Sequence, residues 1–281
     1  MSTAAPMEAP ITKRAKKPID WGREVRQTAL LILMVLGIHS FIAKPFYIPS
    51  GSMLPGLLIG DRLVVSKFPY GYSYLSPSLP ILPQISGRLF ERLPERGDTV
   101  VVKSPADDND WIKRVIGLPG DTVEMREGRL ILNGQAVPKV RIAPADIAVT
   151  PNTDCADAPQ HQRTAADGRQ VCAYPRYRET LPGGVAYDVL DLSYSAADNM
   201  APVTVPADHV FLMGDNRDNS ADSRVAPENG GLGILPIERV VGRAEFLTFS
   251  LNGSMTLNPL TWIGAFREGR AGDSLRGRVA D

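Results

Sequence analysis

The sequence predicts a mainly β protein of curled antiparallel sheets, barrel-like in outline, carried on one N-terminal transmembrane helix. Three observations lead there. A largely apolar run of 17 residues without formal charge lies between Arg26 and Lys44. After residue 50 the chain becomes a succession of short β-branched runs separated by turn dipeptides. No segment in that stretch carries the 3.6-residue apolar period of a long amphipathic helix.

Residues 1–25 are polar and basic, with Pro6, Pro10 and Pro18, and read as a disordered cytoplasmic tail. Residues 26–44 form the single membrane anchor. A helix of that length rises roughly 25 Å, at the short end of what spans a hydrocarbon core, and Arg26 and Lys44 can snorkel to the two interfaces. Lys13, Arg14, Lys16, Lys17, Arg23 and Arg26 precede the apolar run, against Glu8, Asp20 and Glu24. That asymmetry puts the N-terminus in the cytoplasm and everything after Lys44 outside it. The alternative, a cleaved secretory signal, suffers from an exit at Phe41-Ile42-Ala43 that lacks a small residue two positions before a cut. Lysines plus arginines equal aspartates plus glutamates, 31 each, so net charge does not point to nucleic acid.

Residues 45–250 make up the β-rich domain. The runs 61–68 and 98–103 are each opened by a Gly-Asp pair, and 121–137 reads as strands turned at Glu127-Gly128 and Asn133-Gly134. Residues 187–192, 210–213 and 239–249 continue in the same style. Two insertions interrupt it. Residues 69–94 are aromatic-rich and broken by proline, which suits either the lipid interface or a loop covering the core. Residues 143–184 are polar and read as a surface excursion. Residues 251–281 form a C-terminal tail, read as frayed, with a basic membrane-surface segment around Trp262 and Phe266 as the alternative.

Cys155 and Cys172 are the only cysteines, and both fall in the part assigned to the outside. In an oxidising compartment a disulfide is the natural reading; two unrelated buried thiols are the alternative. A metal site built on them and His161 lacks a second ligand pair at the right spacing.

Pro49-Ser50-Gly51-Ser52-Met53-Leu54-Pro55 places two hydroxyls just beyond the anchor. A serine needs a base before it becomes a nucleophile. His39 lies in the apolar run, His161 in the polar insertion and His209 at a strand entry, and none sits in a histidine-triad context. A lysine serves instead if burial lowers its pKa. Lys113 is flanked by Trp111, Ile112, Val115 and Ile116, and strand alternation puts it on one face with Trp111 and Val115. A lysine projecting to solvent from a strand edge is the ordinary alternative.

Three segments taken together resemble the successive boxes of type I bacterial signal peptidase, the leader peptidase family. They are residues 49–55, residues 110–121, and Gly214-Asp215-Asn216-Arg217-Asp218-Asn219-Ser220-Ala221-Asp222-Ser223-Arg224. The resemblance extends from about Phe46 to Phe249 and implies the signal peptidase fold. It implies that Ser52 is the nucleophile, Lys113 the general base, and Ser50 with the backbone N–H of Ser52 the oxyanion hole. It further implies that Ser220 orients the lysine amine, that Asp222 and Arg224 form a bracing ion pair, and that Asp215 partners Arg114. The implied reaction removes N-terminal signal peptides from exported precursors through an acyl-enzyme, with neither metal nor organic cofactor. The implied partners are signal-peptide-bearing preproteins, the lipid bilayer and a nearby export translocon. The implied location is the bacterial inner membrane, single-pass, with the catalytic domain on the periplasmic face. Three alternatives stand beside this. One is a specialised peptidase of the same fold serving a dedicated secretion or conjugation system. Another is a catalytically silent membrane-tethered β-domain. The third, a self-cleaving repressor of the same Ser-Lys fold, requires a DNA-binding domain where this sequence has a short basic tail.

Overall fold

Asp20 starts the first element: its carboxylate accepts the Arg23 N–H at 3.2 Å and its carbonyl the Glu24 N–H at 3.0 Å, satisfying donors that a helix start leaves orphaned. In this computed structural model, which describes residues 20–77, 83, 85–155 and 158–279, helix α1 therefore begins at Trp21. It runs Trp21–Gly37 and continues as a π-helical turn, Ile38–Ile42. The start lies inside the stretch expected to be tail, because the Asp20 cap recruits Arg23, Glu24 and Arg26 into the first turns. The remainder of the expected tail, residues 1–19, lies outside the described residues. Trp21–Ile42 is 22 residues, which rise about 33 Å, enough to cross a hydrocarbon core. No residue of α1 is buried against protein. The chain divides into two compact units, Met1–Gly37 and Ile38–Asp281.

Among the described residues the second unit holds sixteen strands: β1 (Ala43–Tyr47), β2 (Asp61–Ser66), β3 (Thr99–Lys103), β4 (Asp110–Gly117), β5 (Thr122–Arg126), β6 (Arg129–Leu132), β7 (Gln135–Ala136), β8 (Lys139–Ala148), β9 (Gln162–Thr164), β10 (Gln170–Thr180), β11 (Val185–Leu190), β12 (Met200–Thr204), β13 (His209–Met213), β14 (Leu235–Pro236), β15 (Val240–Ser250) and β16 (Arg278–Val279). A seven-stranded antiparallel sheet runs β1-β2-β15-β3-β4-β13-β14; a second runs β16-β11-β10-β8 with β9 on β10; a third runs β12-β5-β6-β7. Val100 and Val102 of β3 pack with Val115 and Leu212 on one face of the large sheet, while Val101 packs with Leu63 and Ile112 on the other. Both faces are covered, so these strands read as unbroken valine runs rather than as alternating ones.

The Gly-Asp pairs turn out to be one device used three times. Gly60, Gly97 and Gly120 take φ of 99°, 92° and 86°, and the following Asp61, Asp98 and Asp121 each accept the N–H three residues back, from Leu58, Glu95 and Leu118. A side chain at position 60 would put its Cβ 1.9 Å from the Leu251 carbonyl oxygen, so glycine is required there twice over. The hairpins at Glu127-Gly128 and Asn133-Gly134 have positive φ at both residues, the geometry that matches strand twist.

Residues 143–184 differ from expectation. Rather than a polar excursion they contribute most of β8 and β10, an antiparallel ladder whose inner face carries Ala145, Ile147, Cys172 and Tyr174 against Leu54 and Leu190. The strands are hidden in sequence because polar outward residues alternate with these. Cys155 and Cys172 are bonded, and Cys172 is fully buried. Replacing both by alanine is expected to lower unfolding free energy by about 3 kcal/mol, from the loop released in the unfolded chain. Denaturant melts of the detergent-solubilised protein check this, with proteolysis reduced less than stability.

Two other segments are also tied down. In 69–94, Arg88 donates to the carbonyls of Tyr70, Gly71, Ile237, Glu238 and Val240, and burial lowers its pKa to about 10. Residues 78–82 and 84 of that insertion lie outside the described residues. The segment from 251 folds back rather than fraying: Leu251 bridges Phe266, and β16 pairs with β11. Arg267 donates to the Ile59 carbonyl at 2.8 Å, and Arg270 binds the Asp61 carboxylate and the Gly56 carbonyl. Arg267 and Arg270 thus serve the 56–61 loop instead of a basic surface.

Candidate active site

Ser52 sits in a turn between β1 and β2, held from below and behind. Met53 and Leu57 are buried with Val101 and Ile112, and the Leu54 and Leu57 N–H groups close the turn on the Gly51 and Met53 carbonyls at 3.1 and 2.9 Å. From the loop after β13, the Asn216 N–H donates to the Ser52 carbonyl at 3.0 Å, and Asn216 Nδ2 donates to the Gly51 carbonyl at 3.1 Å. Asn216 was passed over in the sequence reading, since nothing local marks an asparagine as a backbone clamp 165 residues away.

Lys113 comes from β4, where pairing with β3 runs from Thr99↔Arg114 to Lys103↔Asp110. Its side chain is 3% exposed, with the amine 5.4 Å from the centre of the Trp111 ring on the same strand face. Nζ lies 3.0 Å from Ser52 Oγ and 3.0 Å from the Ile112 carbonyl oxygen. Burial lowers its pKa; Asp222 and Asp215 pull it back up, Arg224 pushes it down, and the balance falls at about 8. Lys67, within the run 61–68, has its pKa lowered to about 8 as well, by burial first and then by Lys44. Its amine is spent on the Ser76 carbonyl rather than on a hydroxyl nucleophile. Sequence context did not distinguish it as a buried lysine, because its cover arrives from residues 73–76.

The loop 214–224 braces both partners. Asp222 is fully buried, accepts the Gly214 N–H at 2.9 Å, and is held by Arg224 Nε and Nη2 at 2.9 Å each. Arg114 grips Asp215 with two bonds of 2.8 and 2.6 Å and stacks on Tyr187 at 4.4 Å. Ser220 departs from the role the resemblance implies. Its Oγ is buried without a hydrogen-bond partner and makes no bond to the Lys113 amine. The extended backbone after the Arg217–Asn219 turn aims it at Gly214, where a Cβ would stand 2.3 Å from Oγ. A further pair went unrecognised in the sequence: Arg217 and Glu179 form a fully buried two-bond ion pair, and Tyr187 donates to Glu179 at 2.9 Å. It fastens the loop to β10.

Ser52 and Lys113 open onto a groove of about 570 Å³, with Phe46 to Ser50 along one wall and Asp110 to Lys113 along the other. Pairing of β4 with β13 ends at Arg114↔Met213, so the four residues before it offer β13's side of the ladder unpaired. Ser50 is exposed on the rim. Such a groove has room for an extended peptide pairing with a strand edge. Among the described residues no histidine lines it.

The profile of the family described as "Signal peptidase, peptidase S26" matches residues 21–249. The chain belongs to the peptidase S26 signal peptidase family. Signal peptidase I of Rickettsia typhi is 32% identical over 237 residues, covering 81% of this chain and 80% of that one. The protein of the same name from Rickettsia akari is 34% identical over 235 residues, covering 79% and 77%. A crystal structure of a signal peptidase I from Enterococcus faecalis V583 is 25% identical and covers 54% of this chain and 97% of its own, with a TM-score of 0.29. The S26 profile ends at residue 249, so the arginines that grip the 56–61 loop from 267 and 270 lie beyond the matched region.

Proposed function

We propose that Ser52 and Lys113 are the nucleophile and general base of this signal peptidase, which removes signal peptides from exported precursor proteins. The observation that carries the assignment is the 3.0 Å contact between a hydroxyl and a buried amine whose pKa lies near working pH. The precursor's cleavage region lies extended in the groove against the 110–113 edge. Neutral Lys113 takes the Ser52 proton as Oγ bonds to the scissile carbonyl carbon. The oxyanion is held by the Ser52 N–H and Ser50 Oγ, donors worth about 3 kcal/mol each in a preorganised site. The C–N bond then breaks, with the lysine proton passing to the leaving amine. A water activated by the same amine releases the acyl group and restores Ser52.

Asp215, Asp222, Arg114 and Arg224 act by holding the loop and setting the amine's pKa. The Trp21–Ile42 helix supports anchorage in the bacterial inner membrane, and the basic residues before it support a cytoplasmic N-terminus with the β unit on the periplasmic side. Nine residues of chain separate Ile42 from Ser52. Sharing a bilayer with a precursor near the export translocon raises the effective encounter concentration.

The test incubates the detergent-solubilised full chain with a panel of precursors, wild type beside Ser52→Ala; cleavage by the variant overturns the assignment. pH gives a second check. The base works only when neutral, so kcat/KM is expected to rise about tenfold per unit below the pKa and level off above about 8. A profile flat from pH 6 to 9 contradicts a titrating lysine.

A further inference from the structure

Next to the substrate groove, across the Gly51 backbone, lies a second cavity of about 240 Å³ to which the family resemblance assigns nothing. Its walls include Gly51, Leu54, Asp154, Leu192, Asn216 and Asn219. Asn219 also lines the groove that holds Ser52 and Lys113, so the two spaces meet at that residue. Three further properties of the cavity bear on what it accepts.

Asn216 is 3% exposed, and its Nδ2 is committed to the Gly51 carbonyl. Its Oδ1 is buried and has no hydrogen-bond partner. A buried acceptor left unpaired is unfavourable, and a donor entering the cavity relieves that cost. The side walls at Leu54 and Leu192 are apolar and belong to the cluster beneath the disulfide arm. Asp154, beside the disulfide, is exposed at the rim and brings negative charge.

We infer that this cavity binds the precursor on the far side of the cut: the first residues of the mature chain, as an extended peptide segment. The inference rests on Ser52 being the nucleophile. With the scissile carbonyl at Ser52 Oγ, residues before the cut fill the groove between 46–50 and 110–113. The residues after it continue past Asn219. Asn216 Oδ1 accepts a backbone N–H of that segment, Leu54 and Leu192 take a side chain, and Asp154 favours a basic residue and opposes an acidic one. Recognition after the cut thus comes from the disulfide arm, while recognition before it comes from the large sheet.

The experiment uses synthetic peptides identical up to the cleavage point and varied at the second residue after it, lysine against glutamate. A matching amide with a chromogenic amine as leaving group has no residues beyond the cut. Wild type is expected to prefer lysine at least fivefold in kcat/KM at low salt, and Asp154→Lys to invert that order. Leu192→Trp, which fills the cavity, is expected to reduce the ratio of extended-peptide to short-amide kcat/KM at least tenfold. Equal losses on both substrates, or an unaltered lysine preference in Asp154→Lys, overturn the inference. Cleavage by Ser52→Ala overturns the nucleophile assignment instead, so the two failures are told apart.

Discussion

Lys113→Met is expected to lower kcat/KM for precursor cleavage by about 10³-fold or more, while the protein folds as before. Methionine nearly matches the lysine stem in length and suits a buried position beside the Trp111 ring, so packing is kept and only the amine is lost. Without it, Ser52 keeps its proton at neutral pH and the leaving amine finds no acid, two steps that together span the usual range of general acid–base catalysis. Removing a buried amine also removes its desolvation cost, and thermal stability is expected to hold or rise. Ser52→Ala should lose as much, and the double variant no more than either single, since the pair works as a unit. Quantitative gel assays of precursor cleavage at pH 8, with thermal melts of the same preparations, check all three. A Lys113→Met protein retaining a tenth of wild-type activity contradicts the dyad.

Arg217→Met is expected to cost about 3–5 kcal/mol of stability, because it leaves the Glu179 carboxylate buried with only the Tyr187 hydroxyl for company. That is a large fraction of the 5–15 kcal/mol typical of a folded domain. Glu179→Gln combined with Arg217→Met should recover part of the loss, since the stranded charge is then gone. Urea titration of the full chain in detergent measures both. Activity should fall in the single variant even at temperatures where it stays folded. Arg217 Nε also donates to the Gly214 carbonyl, and its own carbonyl accepts from Arg224, so the loop that clamps Ser52 is held through it. A cost below 1 kcal/mol contradicts the description of this pair as the fastening between the loop and β10.

Much of the architecture was readable because its signals are local. The Gly-Asp pairs work through a carboxylate reaching three residues back, and the Asn-Gly and Glu-Gly hairpins through their own φ angles; neither needs a distant partner. The valine run of β3 and the apolar anchor are likewise properties of a short window. The spans 143–184 and 251–281 were misread for the opposite reason. β8 and β10 alternate polar with apolar residues, and their inner face becomes a core only when Leu54 and Leu190 arrive from elsewhere. Arg267 and Arg270 look like surface charge until the 56–61 loop presents its carbonyls and Asp61.

The candidate site divides along the same line. The residues proposed to attack and to hold an oxyanion, Ser52 and Ser50, stand in one short stretch and the proposed base, Lys113, in a second, and the resemblance of these stretches to the signal peptidase boxes is what named them. Folding had to bring Ser52 within 3.0 Å of an amine 61 residues away. It also had to bury Lys113 deeply enough to drop its pKa to about 8, give Lys67 a similar shift with a different partner, and leave Ser220 Oγ without a bond. Turn chemistry and residue type act over three or four positions. Desolvation and ion pairing sum over whatever the fold packs alongside, so the protonation state of Lys113 belongs to the tertiary structure.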